Sequence, residues 1–397
     1  MMISENRRSK AHLDIILIIL TYALAIFGVL AVTIATYSVD SGPEKTLLNH
    51  IVSSTNGSRQ ALFLMISPII LGVIVSFRYE SYRLLARFFY YVSVFLLLLA
   101  LVTSQASGVK AWMDTLWNFT IQPSEFVKLG MILIMARILS RDNAPMSTWK
   151  DFVRIMSIIG LPAIFIMLQG ELGSLMVMVF IFAVMLYFGG VKLKILFGMA
   201  AAGAVLILAV YGVAMASNSD NYRIQRILSF FNPDLYSSGE AYQMTQSKIA
   251  IGSGGLSGIG MFINGAMSQL DYVPADWTDF IFSTIGEAFG FIGCGVILLL
   301  YLLIILRMLF LARFTQDKFG QLIIIGVMSM FLFHVFQNVA MTLGLMPIAG
   351  IPLPLLSYGG SNMVTNMAGV GLVLNVVKNR SLSAYINTPQ LRANRYR

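Results

Sequence analysis

Apolar runs long enough to cross a lipid bilayer recur along most of this chain, and each has to satisfy its own backbone inside hydrocarbon. Lipid offers an open strand no hydrogen-bond partner, so a span is an α-helix of about 17 to 25 residues. Such runs lie near 13–37, 61–78, 88–104, 121–140, 152–168, 171–189, 193–215, 280–306, 320–344 and 361–377. With 57% hydrophobic and 11% charged residues over 397 positions, and a mean hydropathy of +0.79, a water-soluble globule is excluded. The expected fold is an all-α integral membrane protein. It is a ten-transmembrane-helix bundle, one domain over 1–380 with a basic cytoplasmic tail at 381–397.

Charge orients the bundle. With the N-terminus placed in the cytoplasm, twenty of the 27 basic residues fall in inner connections, among them Arg78, Arg83, Arg87, Arg137, Arg141, Lys150 and Arg154. That bias supports ten spans with both ends cytoplasmic. It also separates the fifth and sixth runs, which are divided only by Gln169-Gly170-Glu171. The net charge of +9 is then a matter of topology and of contact with membrane lipids, and gives no ground for nucleic acid. The first run is too long for a removable signal peptide and is expected to stay as a span.

The longest connection, about 216–279, is a large extracytoplasmic loop between spans seven and eight. It carries aromatic residues and the stretch IGSGGLSGIG at 251–260. The GxGxxG spacing of a dinucleotide site is absent, which leaves a re-entrant turn or a backbone nest for phosphate. Cys294 is the single cysteine, and His12, His50 and His334 are too dispersed to form a metal motif.

Acidic residues accumulate on the outer side, and the stretch from Asp271 to Gly293 carries them into an apolar run. A carboxylate costs about 2.5 to 3.5 kcal/mol at that depth, so Asp279 and Glu287 require partners, a polar cavity or a chemical role. Continued as a helix, Asp279, Ser283 and Glu287 share one broad face. Asp279 reads equally as a helix cap or a catalytic group, and Glu287 as a structural hydrogen-bond partner or a site residue. Gln122-Pro123-Ser124-Glu125 reads as the start of a helix, while Lys128 requires either Glu125 at i, i+3 or an anion. Arg59, Lys110 and Lys248 are further outer cations, and Glu171 is either a helix N-terminal acid or a site residue. The prolines and glycines of GIPLPLLSYGGS at 350–361 exclude regular helix there.

Four stretches in order, QPSEFVKL at 122–129, YQMTQSKIAIGSGGLSGIG at 242–260, TDFIFSTIGEAFGFIG at 278–293 and GIPLPLLSYGGS at 350–361, resemble the SEDS (shape, elongation, division and sporulation) family. The resemblance covers nearly the whole chain. It implies a peptidoglycan glycosyltransferase that polymerises lipid II on the outer face of the membrane, working beside a class B penicillin-binding protein transpeptidase. The family's essential aspartate falls on Asp279, which would take the proton of the acceptor hydroxyl. The pyrophosphate leaving group would be met by Lys128, Arg59, Lys110 or Lys248, with Glu125, Glu171 and Glu287 near the substrate. A divalent cation could share that task, although no motif establishes one.

The chain departs from the family pattern at Ala275, Trp277, Ala111 and Gly170, and at Ala288, where a second glutamate is usual. The ending from Thr365 to Gly371 leans toward the elongation branch, RodA. Two competing functions are a lipid II flippase and a non-catalytic scaffold of the wall-building complex. The first fits poorly, because the ionisable residues cluster at one end and no inverted repeat is visible.

Overall fold

The computed structural model describes residues 13–37, 46–103, 111–114, 120–141, 146–216, 240–270 and 272–386. Its helices are α1 (Ile15–Ala35), α2 (Leu47–Ser53), α3 (Thr55–Ser76), α4 (Tyr79–Thr103), α5 (Pro123–Leu139), α6 (Trp149–Gln169), α7 (Leu172–Gly189), α8 (Leu193–Ala216), α9 (Glu240–Ser253), α10 (Ile281–Arg313), α11 (Lys318–Thr342) and α12 (Gly360–Ile386). All but α2 and α9 fall on the predicted apolar runs. Seven of them, α1, α3, α4, α6, α7, α10 and α11, are long and apolar enough to cross a membrane. Unforeseen in the all-α expectation is a small antiparallel pair, β1 (Met113–Asp114) and β2 (Thr120–Ile121), between α4 and α5.

Local chemistry sets the helix limits. Asp14, Ser54, Thr148 and Asp317 each accept a first-turn amide, and Pro123 opens α5, where a missing N–H costs nothing. The division between α6 and α7 falls where charge placed it: Gly170 is left-handed at φ +89°, and the Gly170 and Glu171 amides both return to Ile166 O. Helix α11 lies at the centre, packed by α5, α7, α10 and α12, with 72% of its apolar window buried. The corresponding figure for α3 is 22%, so α3 lies at the periphery.

The expectation of one continuous face through Asp279, Ser283 and Glu287 is corrected. Asp279 lies in a turn before α10, and α10 itself breaks at Gly290 (φ +64°, ψ −160°). The break exposes main-chain groups, and the glycine-rich stretch pairs them. Ile259 N and Gly260 N donate to Glu287 O and Ala288 O at 3.0 and 3.1 Å, while Phe291 N and Ile292 N donate to Gly255 O and Leu256 O at 2.9 and 3.1 Å. Each such group left bare would cost about 1 to 3 kcal/mol. The approach is closed to side chains, since a Cβ on Gly258 would stand 2.2 Å from Ala288 O and one on Gly254 would stand 1.9 Å from Gly286 O. The stretch is therefore a packed turn, its Ile259 and Gly260 amides committed to protein carbonyls, and not a phosphate nest.

Candidate active site

Asp279 sits in the turn 274–280, which is tightened by Thr278 N and Phe280 N both donating to Ala275 O at 3.1 Å. Ala275 takes φ +60°, an uncommon conformation for a residue with a Cβ. Three consecutive carbonyls of this turn are held from outside. Tyr358 N donates to Trp277 O at 2.9 Å, Ser357 Oγ to Thr278 O at 2.6 Å, and Asn338 Nδ2 to Asp279 O at 2.7 Å. Asn338 also donates to Ile351 O at 2.7 Å, so one amide on α11 joins the Asp279 turn to the proline-rich segment. Gly350, at φ +63°, lies beside the carboxylate, and a Cβ there would stand 3.5 Å from Asp279 Oδ2.

Asp279 opens onto a cavity of about 260 Å³ whose walls include Trp112, Gln122, Glu171, Tyr358 and Ser361. Glu171, in the turn between α6 and α7, receives a short hydrogen bond from the Gln122 amide. Burial pushes its carboxyl above the ordinary value of 4.5. Hydrogen bonds from Gln122 and Ser124 oppose that rise, the charge of Glu125 adds to it, and the Lys128 cation opposes it.

Behind this wall the Lys128 ammonium is 1% exposed and donates to Glu125 Oε1 at 2.6 Å and to His334 Nε2 at 2.9 Å. His334 Nδ1 faces the Pro352 carbonyl at 3.1 Å. A carbonyl only accepts, so Nδ1 carries the proton and Nε2 presents its lone pair to Lys128. The Lys128 charge is thus balanced by Glu125 within the protein, and its field reaches the cavity as that of a pair.

The other sequence candidates fall elsewhere. Arg59 is exposed on α3 and Lys248 is exposed on α9, and neither lines the cavity. Lys110 lies outside the described residues. Glu287 is turned away, with Oε1 accepting Met267 N at 2.6 Å and Oε2 accepting Ser268 N at 3.1 Å. It anchors the 263–270 loop to α10, which is the structural alternative the sequence left open. His334 and Asn338 were not singled out from the sequence, although with Gln337 and Thr342 they place buried polar atoms on the central helix α11.

The fold and the cavity define a polytopic helical membrane protein with an acidic pocket at one end of the bundle, backed by a buried lysine pair. The chain belongs to the cell cycle protein family that groups FtsW, RodA and SpoVE, whose pattern matches residues 14–382. Peptidoglycan glycosyltransferase MrdB of Escherichia coli strain K12 is 30% identical over 374 residues, covering 94% of this chain and 95% of the relative. Stage V sporulation protein E of Bacillus subtilis strain 168 is 32% identical over 376 residues, covering 92% and 97%. These near-equal identities favour no branch of the family. A chain from a solved peptidoglycan synthase complex, one that coordinates polymerization and crosslinking, superposes with a TM-score of 0.73 at 25% identity, covering 93% of this chain and 98% of that one.

Proposed function

We propose that this chain is a peptidoglycan glycosyltransferase that polymerises lipid II at the outer face of the cytoplasmic membrane, with Asp279 as general base. In the reaction, the Asp279 carboxylate takes the proton of the acceptor sugar hydroxyl as that oxygen attacks the anomeric carbon of the donor. A glycosidic bond forms, the bond from the anomeric carbon to the pyrophosphate oxygen breaks, and undecaprenyl pyrophosphate leaves with the electron pair. One carboxylate suffices for such an inverting displacement. The observation that carries this reading is the placement of Asp279 at the cavity, on a turn whose carbonyls are fixed from two other segments. Reactive groups held in one geometry remove an entropic part of the barrier.

Ten spans with both termini cytoplasmic, and the loop at about 216–279 outside, complete the reading. The ten long helices and the basic residues of the inner connections support it. A class B penicillin-binding protein is the partner proposed for crosslinking, in line with the synthase complex that this fold resembles. The leaving pyrophosphate needs positive charge, and in the closed pair Lys128 supplies little. Substrate entry is therefore expected to loosen the Lys128–Glu125 contact. Among the described residues no three His, Cys, Asp or Glu side chains converge as metal ligands, and no step is assigned to a divalent cation.

Purified protein in detergent, where no membrane exists to be crossed, should convert labelled lipid II into glycan strands. Failure with authentic lipid II, both alone and with the partner transpeptidase present, would return the flippase or scaffold reading to first place.

A further inference from the structure

Far along α5 from the cavity, Arg137 donates from Nη1 to Leu84 O on α4 at 2.8 Å, while its Nε is buried with no hydrogen-bond partner. Two more guanidinium groups stand beside it. Arg141 follows one turn later, Arg87 lies one turn beyond Leu84, and both are close enough to act on Arg137 electrostatically. Arg87 and Arg141 are exposed, and among the described residues none of the three has an ion-pair partner. Three neighbouring like charges and a buried donor left without a partner make a cationic site that suits an anion.

The surface beside them is apolar. Leu84, Phe88, Tyr91 and Phe95 are 70%, 61%, 61% and 60% exposed, and their spacing places them along one stripe of α4 that begins at the arginines. Charge at one end and an exposed apolar track at the other match an amphiphile with a phosphate head.

We propose that Arg87, Arg137 and Arg141 bind the phosphate of an anionic phospholipid whose acyl chain lies along Leu84, Phe88, Tyr91 and Phe95. The planar forks of Arg137 and its neighbours take the phosphate oxygens, and the apolar stripe takes the first methylenes. This site is separate from the Asp279 cavity and stands whether or not that cavity is catalytic.

The test uses the full chain in detergent micelles, titrated with fluorescent dioleoyl phosphatidylglycerol against unlabelled competitors. Unlabelled phosphatidylglycerol should displace the probe, phosphatidylcholine should not, and inorganic phosphate should compete only weakly, because it has no acyl chain. The double variant Arg87→Gln/Arg141→Gln should bind the probe roughly thirtyfold more weakly, as two interfacial cations are removed. Neither side chain makes an intramolecular hydrogen bond among the described residues, so helicity and Tm in phosphatidylcholine should match the wild type. Unchanged phosphatidylglycerol affinity in the double variant would overturn the proposal. Equal competition by phosphatidylcholine, or by inorganic phosphate, would overturn the lipid assignment.

Discussion

Asn338 Nδ2 donates to the main-chain oxygen of Asp279 at 2.7 Å and, with its second proton, to that of Ile351 at 2.7 Å. A side chain on the central helix α11 thereby sets where the acidic turn stands relative to the segment that carries Gly350. Asn338→Ala should leave both carbonyls without a donor and lower stability by about 2 kcal/mol or more. The displaced Asp279 should reduce kcat/KM for lipid II polymerisation by about 100-fold. Unfolding in detergent and initial polymerisation rates check the two effects separately. Normal rates in the alanine variant would show that the clamp does not position the carboxylate.

Lys128 is expected to be structural as well as functional, because Glu125 and the His334 lone pair both depend on it. Lys128→Met should destabilise by about 3 to 5 kcal/mol, the penalty for a buried carboxylate without its partner. Adding Glu125→Gln removes that bare charge and should restore most of the loss. A double-mutant cycle from thermal or denaturant unfolding measures the coupling, and simple additivity would contradict the pairing.

Glu171 gives a pH dependence whose sign follows from its raised value. The folded state holds the proton to a higher pH than the unfolded chain. Its contribution is therefore fully present below the ordinary value of 4.5 and is lost as pH rises through the folded value. Glu171→Gln should remove this decline, so the difference in Tm between variant and wild type should grow in the variant's favour as pH rises above about 4.5. A constant difference across that range would contradict the assignment.

Two glycines of one stretch should behave oppositely. Gly258→Ala places a Cβ 2.2 Å from Ala288 O in a residue at φ +84°, and should cost at least about 2 kcal/mol with loss of the α10 break geometry. Gly252, in α9, meets nothing within 4 Å, and its alanine variant should gain up to about 1 kcal/mol. Thermal unfolding of the two variants checks the contrast.

Much of the bundle was legible in the sequence because lipid imposes a simple rule, and a long apolar run has little choice but helix. The α6 to α7 break was legible because the basic residues gather in inner connections only if the two runs are separate spans, and Gly170 supplies the left-handed residue that ends α6. Asp279 stood out because a carboxylate next to hydrocarbon needs a reason, and the cavity supplies one. The Lys128 alternatives were legible at i, i+3, but His334 was not, since a lone histidine in an apolar run has no local signature and its partner lies 206 residues away. The break at Gly290 escaped because helix periodicity continues across it. It is set by the facing glycines at 254 and 258, a relation between distant segments that no window along the chain contains. Glu287 was ambiguous for the same reason, as its Met267 and Ser268 amides are 20 and 19 residues away.

The central claim is tested most directly by Asp279→Asn, which keeps the shape of the side chain and removes its capacity to accept a proton. The variant should bind lipid II with the wild-type Kd and fold with an unchanged Tm, while single-turnover polymerisation falls by about 100-fold or more. Glycan strands formed at the wild-type rate by the asparagine variant would contradict the account and assign the proton to another base.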